Sequence, residues 1–411
     1  MHIRITHTLG AVVAAGALTT LGLAGTSMPS AAASTTPAAP PAHPVTAYVA
    51  NFSSGTVTPI STAINKAGKP ITVGGYPAAI AITPNGKTAY VANEGSGTVT
   101  PISTATSKAG KAIKAGTTPV AIVITPDGKT AYVVSEFSNT VIPIRTATNT
   151  ALKAITVGGG PTAIAITPNG KTAYVASNSG TVTPVSTATN KAGKLIKYGN
   201  GSEAGKAYIA ITPDGKTVYV AESGPYTPGD TVTPISTASN KAGKAIKVGQ
   251  WPVAIAITPN GKTAYVASTG SGPTGCIQAA CSGQAPAAGS GTATVTPIIT
   301  STNKPGRPIK IAGGAGDIAI TPNGATAYII SSPYVIPIRT AANIALKAVT
   351  VGPEPIVIAI TPDGKTAYVA LDNSTSRGDF PGQVIPISTV TNKAGKGITV
   401  GIDPAAIAIT P

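Results

Sequence analysis

One hydrophobic phrase recurs along the chain. Small and large apolar residues alternate in Ala79-Ile80-Ala81-Ile82, a turn follows at Pro84-Asn85-Gly86-Lys87, and further runs appear at Thr88-Ala89-Tyr90-Val91-Ala92 and Thr98-Val99-Thr100-Pro101-Ile102. Alternation with a period of two is the pattern of a β-strand, whose successive side chains point to opposite faces. Pro and Gly between two such runs supply the fixed and the permissive φ that a tight reversal needs. In this copy the pattern predicts four short strands, A over 79–83, B over 88–92, C over 98–102 and D over 112–115, arranged as an antiparallel meander. Both faces of strand A are apolar, so the sheet is expected to be covered on both sides.

The Tyr of strand B recurs at Tyr48, Tyr90, Tyr132, Tyr174, Tyr219, Tyr265, Tyr328 and Tyr368, which gives eight copies. Self-similarity at such a period marks a repeat architecture. A lone four-stranded sheet leaves faces and edges open, so the copies must stack in a row or close in a ring. The regular pattern opens on a strand B (46–51) and stops on a strand A (405–410), so the last strand is the missing partner of the first. The expected fold is therefore all-β, a single β-propeller of eight four-stranded antiparallel blades closed by pairing of the N- and C-terminal strands. Seven blades are the alternative, because the stretch between Tyr265 and Tyr328 is irregular. A Pro within each strand C, such as Pro59 or Pro101, removes a ladder donor, so a bulge or a loosely paired strand D is expected.

These residues resemble a known family. Tyr48-Val49-Ala50-Asn51 and Tyr90-Val91-Ala92-Asn93, in Thr-Pro-Asn/Asp-Gly-Lys surroundings, are similar to the YVTN-type propeller repeat of bacterial and archaeal cell-surface proteins. The resemblance covers residues 45–411 and implies a propeller fold at a cell surface. Pro-Ile-Ser-Thr replaces the Ile-Asp-Thr usual in that repeat, which removes a repeated carboxylate.

Composition narrows the chemistry. Of 411 residues 42 % are apolar but only 4 % aromatic, so Ala, Val and Ile must build the core, which favours strands. His2, His7 and His43 all precede the first strand, so the body has no imidazole base and no His-ligated metal; no cofactor is expected. Arg4, the apolar run 9–24 and Ser30-Ala31-Ala32-Ala33 read as a signal peptide over 1–33. A Thr/Ala/Pro linker (34–44) and the propeller (45–411) follow. The mature chain is expected to be a monomer without a membrane span, secreted or held at the cell surface. Export makes a disulfide between Cys276 and Cys281 the expected state of these thiols.

The net charge of +16 is unevenly spread. Antiparallel order puts the A-to-B and C-to-D turns, rich in Lys, at one rim, and the B-to-C and D-to-A loops, which carry most carboxylates, at the other. Tyr76, Thr118, Trp251, Glu354 and Asp403 precede strand A in their copies, while Glu94, Glu136, Glu222 and Asp372 sit at the ends of strands B. These are the candidate ligand-binding residues, since mixed aromatic and acidic side chains suit a sugar, a peptide or a cationic group. An acid/base carboxylate pair would need an approach across the channel, as between Glu354 and Asp403. No catalytic residue is assigned, and the leading expectation is a non-catalytic, exported binding scaffold. A lactonase-like or other hydrolase in the channel mouth is the first alternative. The second is binding of an anionic cell-wall polymer or nucleic acid by the Lys-rich face; nucleic acid is disfavoured because no aromatic residue interleaves the Lys.

Overall fold

The computed structural model describes residues 45–198, 206–223, 229–270, 292–373 and 380–411. Cys276 and Cys281, and the leader and linker, lie outside the described residues. Each repeat folds as one antiparallel sheet ordered A-B-C-D, and eight such sheets form the ring. The inner strands A are Pro404–Ile409 in blade 1, Pro77–Ile82 in blade 2, Pro119–Ile124 in blade 3 and Pro161–Ile166 in blade 4. Those of blades 5 to 8 are Ala207–Ile211, Pro252–Ile257, Ala315–Ile320 and Pro355–Ile360. Every inner strand neighbours those of the two adjacent blades, so the eight surround a central channel.

Blade 1 joins the two ends of the pattern. Thr46–Asn51 pairs antiparallel with Pro404–Ile409, and the Thr46 amide donates to Thr410 Oγ1 at 2.9 Å. Eight blades closed by the terminal strands are what the structure shows, and the seven-bladed alternative falls. Closure covers both faces of every sheet, and strand B, in the middle of each sheet, is buried along nearly its whole length. The core is a set of inter-blade layers in which the Ala and Tyr of one blade meet the Ile and Val of the next.

The strand-B Tyr residues pin neighbouring blades together. Each is buried, and its hydroxyl reaches the C-to-D turn of the following blade, as Tyr90 does in donating to Asn149 Oδ1 at 2.6 Å. Tyr368 donates to Asn65 Oδ1 at 2.5 Å and so carries the pin from blade 8 to blade 1. Asn65 and Asn149 adopt φ of 51° and 52°, a region that Asn enters more readily than other non-Gly residues. At the blade 1–2 junction the turn residue is Ser107 instead, and the Tyr48 hydroxyl donates to the Thr104 carbonyl at 3.3 Å.

Strand D departs from expectation. It is two dipeptides, Lys108–Ala109 and Ile113–Lys114 in blade 2, paired on either side of Pro101. The Pro101 carbonyl faces strand D and accepts the Gly110 amide at 2.7 Å, so its missing N–H lies on that same side. A Cβ at Gly110 would lie 3.2 Å from Pro101 Cγ. Loose pairing thus takes the form of a gap opposite each strand-C Pro. Strand A begins at Pro77, earlier than the alternation implied, with a register shift between Pro77 and Ala79.

Candidate active site

The acidic rim is built from two sequence positions that the fold stacks on each other. The residue entering strand A is left-handed, with φ of 55° at Tyr76, 59° at Thr118, 56° at Trp251, 50° at Glu354 and 60° at Asp403. Such a conformation costs a non-Gly residue roughly 1–2 kcal/mol. Its carbonyl accepts the amide of the first residue after strand B: Glu94 to Tyr76 at 2.8 Å, Glu136 to Thr118 at 3.0 Å, Asp372 to Glu354 at 3.0 Å and Phe52 to Asp403 at 2.7 Å. Thr269 closes on Trp251 in the same way at 3.1 Å. The predicted residues Tyr76, Thr118, Trp251, Glu354, Asp403, Glu94, Glu136 and Asp372 therefore share one mouth of the channel. Glu222 ends strand B of blade 5 at the same rim.

Within that mouth the side chains divide into groups. Lys206 stands where six other blades have Pro at the start of strand A. The residue is partly exposed. Burial pulls its ammonium down to about 8, against the opposing charges of Glu136 and Glu94. Glu136 Oε1 also accepts Asn178 Nδ2 at 3.3 Å. Blades 2 to 5 thus contribute two carboxylates, an amide and one cation to a single cluster.

The remaining predicted residues meet different partners. Burial raises the Glu354 carboxyl, and the Asp372 charge adds to this, so Glu354 is paired with Asp372. Asp403 accepts the Ser53 hydroxyl at 2.9 Å. The Glu222 carboxyl is raised by burial, and its charge pushes the already buried Tyr198 phenol further up. Tyr76 stacks on Phe52, with ring centroids 4.9 Å apart and planes 20° from parallel. Gly95 permits this, because a Cβ there would fall 2.3 Å from Tyr76 Cδ2. Tyr76 remains 45 % exposed, whereas Trp251, four blades away, is half-buried.

Three polar residues were not among the candidates, although charge sorting already puts Lys206 and Asp317 at the acidic rim: Lys206, Tyr208 and Asp317. Tyr208 and Asp317 share a position in strand A that is Ala79, Ala121, Ala163, Ala254 and Ala406 in five other blades and Val357 in the sixth. Asp317 is 5 % exposed; Oδ1 accepts the Ile318 amide at 2.9 Å and Oδ2 the Ile358 amide of blade 8 at 3.2 Å. Burial outweighs these two donors and pushes the carboxyl up to about 7. Its charge also acts on the Tyr208 phenol, which burial already raises. The signal that could have found these residues was in the repeat itself: a Lys in a Pro column, and a Tyr and an Asp in an Ala column.

Among the described residues no three His, Cys, Asp or Glu side chains are grouped to hold a metal ion, and no helix is long and apolar enough to cross a membrane. Chemically, the mouth offers carboxylates that can take a proton beside an ammonium that can stabilise developing negative charge.

A family model described as "Lactonase, 7-bladed beta-propeller" matches residues 101–278. No curated protein matches the chain. Among solved structures, hydrazine synthase of Kuenenia stuttgartiensis is similar with a TM-score of 0.59 and 23 % identity, over 76 % of this chain and 95 % of that one. The dihydro-heme d1 dehydrogenase NirN gives a TM-score of 0.66 at 13 % identity over 88 % and 74 % of the two chains. A functionally unknown protein from Desulfotomaculum acetoxidans gives 0.59 at 17 % over 89 % and 98 %. At these identities the solved structures share the fold. The family match corrects the expectation of a non-catalytic binding scaffold, because the family it names is catalytic and the matched segment holds Glu136, Lys206, Tyr208, Glu222 and Trp251. The YVTN-type repeat is not the family that matched.

Proposed function

We propose that the chain is a hydrolase that opens a lactone in the acidic mouth of the channel. The lactonase match across the segment that carries Lys206 supports this reading most directly. A water oxygen adds to the carbonyl carbon while Glu136 or Glu94 takes its proton, and the Lys206 ammonium stabilises the oxyanion that forms. Collapse breaks the bond to the ring oxygen, which leaves as an alkoxide and takes up a proton. The product is the hydroxy acid, formed from lactone and one water. Tyr76, Trp251, Thr118, Glu354, Asp372, Glu222 and Asp403 surround the entrance and are assigned to holding the substrate.

The test is proton release at constant pH from a panel of γ- and δ-lactones. Lys206→Pro removes the ammonium and installs the residue that six other blades use, so the fold should survive. Loss of one charge-stabilising group should lower kcat by roughly 10²–10³ with the melting temperature retained. A wild-type chain that releases no proton above the uncatalysed rate would end this reading.

The leader-like segment and the Tyr-Val-Ala-Asn copies support action outside the cytoplasm and a kinship with the YVTN-type repeat. N-terminal sequencing of protein recovered from the host's medium or surface should then begin near residue 34.

A further inference from the structure

Two kinds of turn meet on the basic rim. In blade 2 the Thr104 amide, opening the C-to-D turn, donates to the Lys87 carbonyl of the A-to-B turn at 3.0 Å. Thr300 to Lys262 at 3.1 Å, Thr340 to Ala325 at 3.1 Å and Thr389 to Lys365 at 3.0 Å repeat the bond in blades 6 to 8, and Thr62 to Val45 at 3.2 Å takes its place in blade 1. Both turns are therefore fixed at one end of the ring. The Lys and Arg side chains of these turns are exposed, whereas the carboxylates of that end, among the described residues, are Asp127, Asp214 and Asp363. Each of the three is held by the Lys two residues on, at 3.6, 3.7 and 4.0 Å, so none offsets the charge of a neighbouring turn.

Apolar side chains also stand on this end, and they form an arc. Ile299 in blade 6, Ile344 in blade 7, Val390 in blade 8 and Ile64 in blade 1 lie in four consecutive C-to-D turns, with exposures running from 49 % at Ile299 to 80 % at Val390. Blades 2 to 5 carry only Ser, Thr, Ala, Lys or Arg at the same four turn positions, as in Ser103, Ala105, Thr106 and Lys108. Lys304, Arg339, Lys393 and Lys66 share the turns of the four aliphatic residues, and Lys262 and Lys365 add charge from the A-to-B turns of blades 6 and 8. Among the described residues the other exposed large aliphatic side chain is Leu195 of blade 4, which sits away from the turn, between the two pieces of its strand D. Single exposed Ile or Val residues are ordinary on a surface. One in each of four neighbouring blades, every one beside a cation, makes apolar tips and positive charge coincide as they do on a surface that lies in a membrane interface.

We infer that the arc of blades 6, 7, 8 and 1 docks the ring on an anionic lipid bilayer, with Ile299, Ile344, Val390 and Ile64 inserted among the headgroups and the surrounding Lys and Arg against lipid phosphates. Charge complementarity selects an anionic surface. The aliphatic arc selects lipid over nucleic acid, because Ile and Val offer a base no ring to stack on. A ring docked in this way turns its acidic mouth away from the bilayer, since the two rims are opposite ends of the same strands. The inference stands on the basic rim and is independent of the hydrolase reading.

The test sediments the full chain with vesicles made of equal parts phosphatidylglycerol and phosphatidylcholine. The chain should bind these and not vesicles of phosphatidylcholine alone, and added salt should weaken the binding. Ile64→Ser, Ile299→Ser, Ile344→Ser and Val390→Ser combined should lower the partition coefficient by roughly 100-fold at an unchanged melting temperature, whereas Leu195→Ser should leave it as it is. Fluorescence reads the orientation: Val390→Trp should add an emission that moves to the blue on vesicles, while that of Trp251, the single Trp of the wild type and a residue of the opposite mouth, should stay. No binding to the anionic vesicles would overturn the inference, and would assign the rim to nucleic acid if duplex DNA is bound instead. Binding retained by the fourfold variant would also overturn it, placing the contact in charge alone or in the apolar run 9–24. So would a vesicle-induced shift of Trp251.

Discussion

A single residue decides how well one blade is tied to the next. Tyr48 meets Ser107, whereas Tyr90 finds Asn149, and the Asn also suits the left-handed turn better. Ser107→Asn should therefore stabilise the ring by about 1 kcal/mol, seen as a higher denaturant midpoint at unchanged slope. Asp317 imposes a pH dependence of the opposite kind from an ordinary salt-bridged Asp. Its carboxyl is raised to about 7 in the fold from a usual value of 3.8, so the folded state keeps a proton that the unfolded chain has already given up. Stability from this group is fully present below about pH 4 and is lost as pH rises to about 7, by up to roughly 4 kcal/mol. Unfolding followed from pH 4 to 8 should show that decline, and Asp317→Ala should flatten it.

Elements were legible where alternation and turn chemistry agree, and less so where a backbone donor is missing. Strands A, B and C lie within a residue or two of the sequence reading, because Ala-Ile alternation and the Pro-Asn-Gly turn specify the same register. Strand D was expected as one piece. The Pro in strand C was visible, but that its absent N–H faces D rather than B depends on which edge the ladder presents there. The gap itself tolerates a side chain: Leu152 and Leu346 stand at the position of Gly110 and donate their amides to the Pro143 and Pro337 carbonyls at 2.7 and 2.8 Å, as Gly110 does to Pro101. Gly110→Ala should therefore shift stability in chemical denaturation by no more than about 0.5 kcal/mol.

At the scale of the molecule, closure by the terminal strands makes the ring one cooperative object. Removing residues 404–411 would take the inner strand from blade 1 and expose the edge of Thr46–Asn51. The truncated chain should unfold over a broad transition and self-associate in sedimentation, whereas the whole chain should unfold in one step. The same closure gathers at one mouth residues as far apart in sequence as Glu94 and Asp403. Charge sorting between the rims was legible because antiparallel order alone assigns each turn to an end. The partner of each carboxylate was not: no spacing in the sequence tells that Asp372 lies close enough to act on Glu354 or that Ser53 donates to Asp403.

The repeat by itself determined strands A, B and C and the meeting of the chain's two ends, since local alternation, turn residues and the pattern's first and last strands point to a closed ring; that eight blades rather than seven close it, and that strand D is split, was decided by the structure. The repeat also determined which loops share a rim. Only the tertiary structure decided that Lys206 faces Glu136 and Glu94 and that Asp317 bridges two blades. These depend on how adjacent sheets are rotated about a common axis, and that relation joins residues with no periodic spacing in the sequence.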